Sequence, residues 1–204
     1  MMDFQLPLDK LALQLINHET LPGSTINDKI YVVLVATGSF NPATYMHLRM
    51  FELARDALKL EGNCVIGGYI SPVNDAYKKK GLISAENCIL LCHLACKSSE
   101  FIMVDPWEAN QSKYQQTLTV LSRVRNIMCE AGLVQKGTYC KYCMRKSHLH
   151  LRVNIKVVEE LVPNQISSTR IRECITRGLS IKHLTTDEVI DYIKEQQLYL
   201  KSDD

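Results

Sequence analysis

The stretch Val32-Val33-Leu34-Val35-Ala36-Thr37-Gly38-Ser39-Phe40-Asn41-Pro42-Ala43-Thr44-Tyr45-Met46-His47 reads as a buried strand that stops at a glycine turn and feeds a helix. The unbroken apolar run from Val32 to Ala36 suits a strand covered on both faces of a parallel sheet. The helix opens with Thr44 and His47, three apart and so on one face. Asn41 is a candidate cap, and Pro42, which lacks an amide hydrogen, suits a helix start. Backbone N–H groups at such a turn point at an anion, and the helix dipole favours negative charge there. An imidazole at that point can donate to a phosphate oxygen as charge builds up during transfer. A strand–glycine–helix turn alone is common in α/β proteins; the whole string points to a phosphate site.

Outward from this unit the alternation repeats. A helix over His47 to Leu60 carries Met50, Phe51, Ala54, Ala57 and Leu58 on one stripe and ends at Gly62. Cys64 to Ile70 reads as a second strand, with a break at Gly67-Gly68. Ser84 caps a helix through about Lys97, with Ile89, Cys92, His93 and Cys96 expected inward. Phe101 to Val104 is a third strand, and Asn110 to Met128 a helix with Tyr114, Leu118, Leu121 and Val124 in register. Val153 to Val158 reads as a strand, and Thr169–Arg177, closed by Gly178, and Thr186–Gln196 as the last helices. The alternation predicts an α/β fold with a doubly wound parallel sheet. Residues 1–29 read as an N-terminal arm, helical near Leu8 to Ile16, and residues 30–204 as one domain with an irregular junction at 129–152. A structureless stretch as long as Glu130 to Leu151 counts against a complete domain.

With 24 basic and 22 acidic residues the net charge is +2, so bulk charge predicts no nucleic-acid partner and no acidic membrane surface. No apolar run is long enough to span a bilayer, and Met1 to Lys29 holds no signal-peptide core, so an intracellular chain is expected, in nucleus or cytoplasm. Its eight cysteines are expected as reduced, buried thiols. Cys140, Cys143, His148 and His150 have ligand types that suit zinc, but their loops are tight and no groups to orient the ligands are evident in the sequence; unligated thiols are the expectation.

Three further groups are candidates for chemistry, against the plain alternatives of a solvated lysine loop, an ordinary helix cap with exposed arginines and an aromatic packed in the core. Tyr77-Lys78-Lys79-Lys80-Gly81 follows the second strand, where ligands bind beyond carboxyl ends, and its ammonium groups suit a polyphosphate. Ile166-Ser167-Ser168-Thr169-Arg170-Ile171-Arg172 is a second helix start rich in hydroxyls and guanidiniums. Asp105-Pro106-Trp107-Glu108 follows the third strand, and Tyr114 and Thr117 lie just beyond, where an aromatic can stack on a flat heterocycle.

Gly38-Ser39-Phe40-Asn41-Pro42-x-Thr44-x-x-His47 and Ile166-Ser167-Ser168-Thr169-x-x-Arg172 resemble the two signatures of the nicotinamide/nicotinate mononucleotide adenylyltransferases. The similarity extends through His47-Leu48-Arg49-Met50-Phe51-Glu52, Ser71 to Lys80, Asp105 to Glu108 and the end, Tyr192 to Tyr199, in a eukaryotic, plant-like form. The resemblance implies a Rossmann-like nucleotidyltransferase fold and transfer of the adenylyl group of ATP, with Mg²⁺, to the mononucleotide, giving NAD or its deamido form and pyrophosphate. It implies that Gly38, Ser39 and Phe40 line the dinucleotide backbone and that Thr44, His47, Thr169, Arg170, Ile171 and Arg172 hold ATP phosphates. Tyr77, Lys78, Lys79, Tyr114, Thr117, Glu160 and Asn164 would meet the mononucleotide, with His47, Lys79 and Arg172 as the catalytic groups. The partners implied are ATP, the pyridine mononucleotide, and a second copy or a full-length sibling.

The chain departs from the family between the helix ending near Met128 and the strand at Val153. The family carries there a further strand with a Gly-(Ala/Ser)-Asp-Leu turn, a Leu-Trp segment and another strand–helix unit, which Glu130 to Leu151 does not resemble. The expected sheet is therefore incomplete in the middle, and the product is expected to be impaired. The alternative is a non-catalytic, truncated isoform that binds nucleotide or pairs with its sibling. Asn87-Cys88 also replaces the family's common His-Arg.

Overall fold

Alternate residues of the first strand face two apolar layers. The computed structural model describes residues 5–17, 30–133 and 157–200. In chain order the elements are α1 (Gln14–Asn17), β1 (Tyr31–Gly38), α2 (Tyr45–Leu60), β2 (Cys64–Pro72), α3 (Ala85–Cys96), β3 (Ile102–Val104), α4 (Thr117–Glu130), α5 (Ser168–Thr176) and α6 (Asp187–Glu195). Among the described residues the sheet has three parallel strands in the order β1-β2-β3. On one face Val32, Leu34, Ala36, Ile70, Ile102 and Val104 pack with α2, α3, α5 and α6. On the other Val35, Tyr69 and Met103 pack with Leu6 and Leu11 of the N-terminal arm and with Val124 and Met128 of α4. Helical layers on both faces are the doubly wound arrangement expected. No helix of the described residues is long and apolar enough to cross a membrane.

The glycine pair does not break β2. A Cβ on Gly68 would stand 2.7 Å from Phe51 Cδ1, and one on Gly67 would collide with Leu11. The two glycines therefore let the layers close onto the strand from opposite faces. Gly68→Ala is expected to destabilise by about 1–3 kcal/mol through overpacking, read as a lower urea midpoint. An unchanged midpoint would mean that Phe51 moves aside freely.

The helix expected from Asn110 begins only at Thr117. The Asn74 side chain donates to the carbonyls of Ala109 (2.9 Å) and Gln111, diverting acceptors that a helix would need. The buried face of α4 is consequently Val120, Val124 and Met128, Leu118 is 61% exposed, and Tyr114 lies in the preceding loop. In α3 the inward stripe is Cys88, Leu91, Cys92, Ala95 and Cys96; His93 faces outward and Ile89 is half-buried. Desolvation pushes the Cys88 and Cys96 thiols up to about 12, so they stay protonated.

Among its described residues, 5–17, the arm is helical only over Gln14–Asn17, because its backbone and side chains reach for the sheet. The Ala12 N–H donates to Ile66 O (2.8 Å), Tyr69 Oη to Pro7 O (2.6 Å), and Lys10 Nζ to the carbonyls of Cys96, Ser99 and Ile102 at 2.9, 2.7 and 3.3 Å. The expected strand at Val153 to Val158 lies mostly outside the described residues, and its described end, Val157 and Val158, is not strand. Cys140, Cys143, His148 and His150 also lie outside them.

Candidate active site

The loop from β1 into α2 is held by its own side chains. Phe40, at φ +40, folds its ring back over Gly38, where a Cβ would come within 3.2 Å of it, and sets that ring edge-on to His47 (centroids 5.1 Å apart). The cap of α2 is Thr44 rather than Asn41, and Pro42 follows a cis peptide bond ahead of the helix. Asn41 is drawn off because its side chain is engaged by Gly81 and Tyr199. Thr44 and His47 form a reciprocal capping box: the His47 N–H donates to Thr44 Oγ1 (3.4 Å) and the Thr44 N–H to His47 Nδ1 (3.0 Å).

That second bond sets the imidazole tautomer. A ring nitrogen that accepts an N–H carries no hydrogen, so in the neutral ring the proton sits on Nε2. Burial, then the charge of Lys79, lowers the His47 pKa to about 4, so the ring is neutral at physiological pH with Nε2–H as a donor. Because the native pKa lies below the usual 6.5, the unfolded chain binds the extra proton between those values. Stability present above pH 6.5 is therefore lost as pH falls towards 4, by at most about 3 kcal/mol. His47→Gln keeps a residue suited to the capping box but cannot titrate, and is expected to flatten urea midpoints measured from pH 7 to pH 4.5. An equal slope in both proteins would assign the pH dependence elsewhere.

Most first-turn donors of α2 are already used: Tyr45 N–H goes to Leu184 O (3.2 Å), and the His47 and Leu48 amides reach Thr44 O (3.0 and 3.3 Å). The imidazole, more than the helix amides, is what this end offers an anion. At α5 the balance differs. Ser167 caps by accepting from the Arg170 N–H (3.3 Å), and among the described residues the N–H groups of Ser168 and Thr169 have no protein partner. Ile171 is fully buried and its N–H closes on Ser167 O (3.0 Å), so it anchors the helix in the core.

The two helix starts meet. Ser168 Oγ donates to Pro42 O (2.7 Å) and Arg172 Nη1 to Asn41 O (2.6 Å), with Arg172 Nη2 3.5 Å from Thr169 Oγ1. Lys79 Nζ reaches Ser39 Oγ (3.0 Å). Gly38, Ser39, Phe40, Thr44, His47, Lys79, Thr169 and Arg172 thus belong to one linked cluster at the carboxyl end of β1. Beside it, Thr37 and Thr117 hydroxyls lie 3.2 Å apart, and the rings of Tyr77 and Tyr114 stack with centroids at 5.6 Å. Lys78 is exposed in the same loop.

Other expected residues stand at the margin. Glu160 pairs with Arg49 (3.1 Å) and Asn164 Nδ2 lies 3.1 Å from Met46 Sδ, both lining a groove along α2. Arg170 donates to Gln165 (3.0 Å) and lines a cleft on the far side of Ser167 with Cys174 and Arg177. Asp105, fully buried, is paired with Arg123 (2.9 Å), whose guanidinium lies over Trp107. Burial raises the Asp105 pKa more than Arg123 lowers it. Glu108 accepts from Ser71 (3.2 Å), so both carboxylates brace the sheet end from beneath. Asn87, in place of the family's histidine, accepts from Tyr192 Oη (2.6 Å). The convergence of Gly81, Arg172 and Tyr199 on Asn41 carries no sequence signal beyond the presence of all four residues in separate quoted strings.

Paired helix starts beyond a parallel sheet define a Rossmann-like nucleotidyltransferase, and a family described as cytidylyltransferase-like matches residues 35–174. Among similar proteins, the nicotinamide/nicotinic acid mononucleotide adenylyltransferase of Arabidopsis thaliana is 48% identical over 243 residues, covering 97% of this chain and 98% of that one. The protein of that name from Oryza sativa subsp. japonica is 46% identical, covering 99% and 96%. The structure of Plasmodium falciparum nicotinic acid mononucleotide adenylyltransferase complexed with NaAD superposes with a TM-score of 0.56 at 16% identity, over 83% of this chain and 97% of that one. The chain belongs to the nicotinamide/nicotinic acid mononucleotide adenylyltransferase family. An alignment of 243 positions against 204 residues leaves at least 39 positions of the Arabidopsis relative unmatched.

Proposed function

We propose that this chain transfers the adenylyl group of ATP to nicotinamide or nicotinate mononucleotide, forming NAD or its deamido form and pyrophosphate, in NAD biosynthesis. The observation that carries the reading is the clamp of α5 onto the β1–α2 loop through Ser168–Pro42 and Arg172–Asn41. It supports the reading by linking the loop that carries a neutral imidazole to the guanidinium and, through Ser39, the ammonium of Lys79, beside two amides without a protein partner among the described residues, groups that suit a triphosphate. A mononucleotide phosphate oxygen attacks the α-phosphorus in line. The new P–O bond forms as the α–β bond breaks, and pyrophosphate departs with the electron pair. The protein's part is alignment and neutralisation of charge, with no covalent intermediate.

His47 Nε2–H, Lys79 and Arg172 take the charge that develops on the departing phosphates. Thr44 holds the imidazole, the amides and hydroxyl of Thr169 add donors, and Arg170 and Ile171 complete the first turn of α5. Gly38, Ser39 and Phe40 line the dinucleotide backbone. Tyr114, 41% exposed, offers a ring to the pyridine beside Tyr77, Lys78 and Thr117. Glu160 and Asn164 border the nucleotide from the α2 side. Mg²⁺ enters as MgATP, held by phosphate oxygens.

The test is stoichiometric formation of dinucleotide and pyrophosphate by the purified chain from MgATP and either mononucleotide. The unmatched positions favour a second reading, a nucleotide-binding isoform that pairs with itself or a full-length sibling. MgATP binding without dinucleotide, in a complex with the sibling, would select it.

A further inference from the structure

Three segments distant in sequence converge on one buried asparagine. Asn41 is 1% exposed. Its Nδ2 donates to Gly81 O (2.6 Å), its Oδ1 accepts from Tyr199 Oη (2.6 Å), and its backbone carbonyl accepts from Arg172 (2.6 Å). The Gly81 carbonyl can only accept, so it must face the amide NH₂; the amide oxygen then faces Tyr199, whose hydroxyl must donate. Burial raises the Tyr199 pKa far above that of an ordinary phenol, so the donor hydrogen is always present.

Gly81 closes the lysine turn, at φ +73, with Leu82 N–H bonded to Lys79 O (3.1 Å). Lys78 to Gly81 are all exposed, and a Cβ at Gly81 would meet nothing within 4 Å, so no packing holds this turn at Gly81. The Asn41 amide is a tether for it, and Lys79 reaches Ser39 from two residues away.

We propose that Tyr199, beyond the last helix, is a positioning residue for the triphosphate site: its hydroxyl orients Asn41, and through it fixes the turn that presents Lys79. The proposal rests on the functional reading above. Replacing the phenol hydroxyl leaves a buried carbonyl oxygen without a donor, which frees the amide to turn and release Gly81.

The experiment compares the full chain with Tyr199→Phe and with Tyr192→Phe, whose hydroxyl serves Asn87. MgATP affinity is measured by calorimetry, and amide hydrogen exchange over residues 77–82 without nucleotide. Tyr199→Phe is expected to weaken MgATP about tenfold and to speed exchange in that segment; Tyr192→Phe does neither. Lys79→Ala is expected to cost less affinity on the Tyr199→Phe background than alone, a coupling that general destabilisation does not produce. Unchanged affinity in Tyr199→Phe, or an equal loss in Tyr192→Phe, overturns the proposal. A wild-type chain that does not bind MgATP sinks the functional reading instead, and exchange at 77–82 then decides on its own whether Tyr199 holds the turn.

Discussion

The 204-residue chain is expected to turn over at least about 100-fold more slowly than an intact relative, while still binding MgATP. At least 39 positions of the Arabidopsis protein have no counterpart here. The sequence resemblance puts that loss between Met128 and Val153, where the Gly-(Ala/Ser)-Asp-Leu turn and the Leu-Trp segment would be expected. The described triphosphate half is linked by bonds that do not involve the junction: Ser168 to Pro42, Arg172 to Asn41, Lys79 to Ser39. On the proposed function, binding energy for the triphosphate is expected to be retained while the acceptor phosphate is poorly aligned, and in-line displacement is intolerant of an ångström of misplacement. The measurement is kcat for this chain and the Arabidopsis protein at saturating MgATP and mononucleotide. Rates within tenfold of each other would show that the segment before residue 157 rebuilds the acceptor pocket by other means.

Arg172→Ala is expected to weaken MgATP binding by about 100-fold, since a partly buried charge-assisted hydrogen bond contributes about 1.5–3 kcal/mol. The guanidinium acts twice. In the proposed site it offers charge to the phosphates, while its 2.6 Å bond to Asn41 O ties α5 to the β1–α2 loop. Arg172→Lys restores charge without the fork and is expected to recover only part of the affinity. Arg177→Ala, at the far end of α5, serves as the reference for simple loss of positive charge. Equal effects at both positions would reduce the role of Arg172 to long-range electrostatics.

Much of this was legible from local pattern. The run Val32–Ala36, the Thr44/His47 spacing and the Ser167–Arg172 string each express structure within one or two turns of chain. Backbone hydrogen bonding, capping and dipole effects act at that range. Two of the misread elements share one cause, an interaction from elsewhere in the chain. Gly67-Gly68 signals a break by propensity, yet Leu11 and Phe51 close over both faces. The α4 start is set by Asn74, dozens of residues earlier. The imidazole of His47 was placed by sequence, but its proton was located by Thr44 and its neutrality by burial and Lys79.

Sequence alone determined that helices start near Thr44 and Ser167 beside a buried parallel sheet, because those features follow from residue types a few positions apart. Only the tertiary structure decided that the two starts meet, since Ser168 and Arg172 lie 126 and 131 residues from the carbonyls they bind. It alone decided that a tyrosine past the last helix closes the same network across 158 residues. Bonds over such separations form only once packing of the apolar layers has met the entropy of ordering the chain between them, and no local pattern records that outcome.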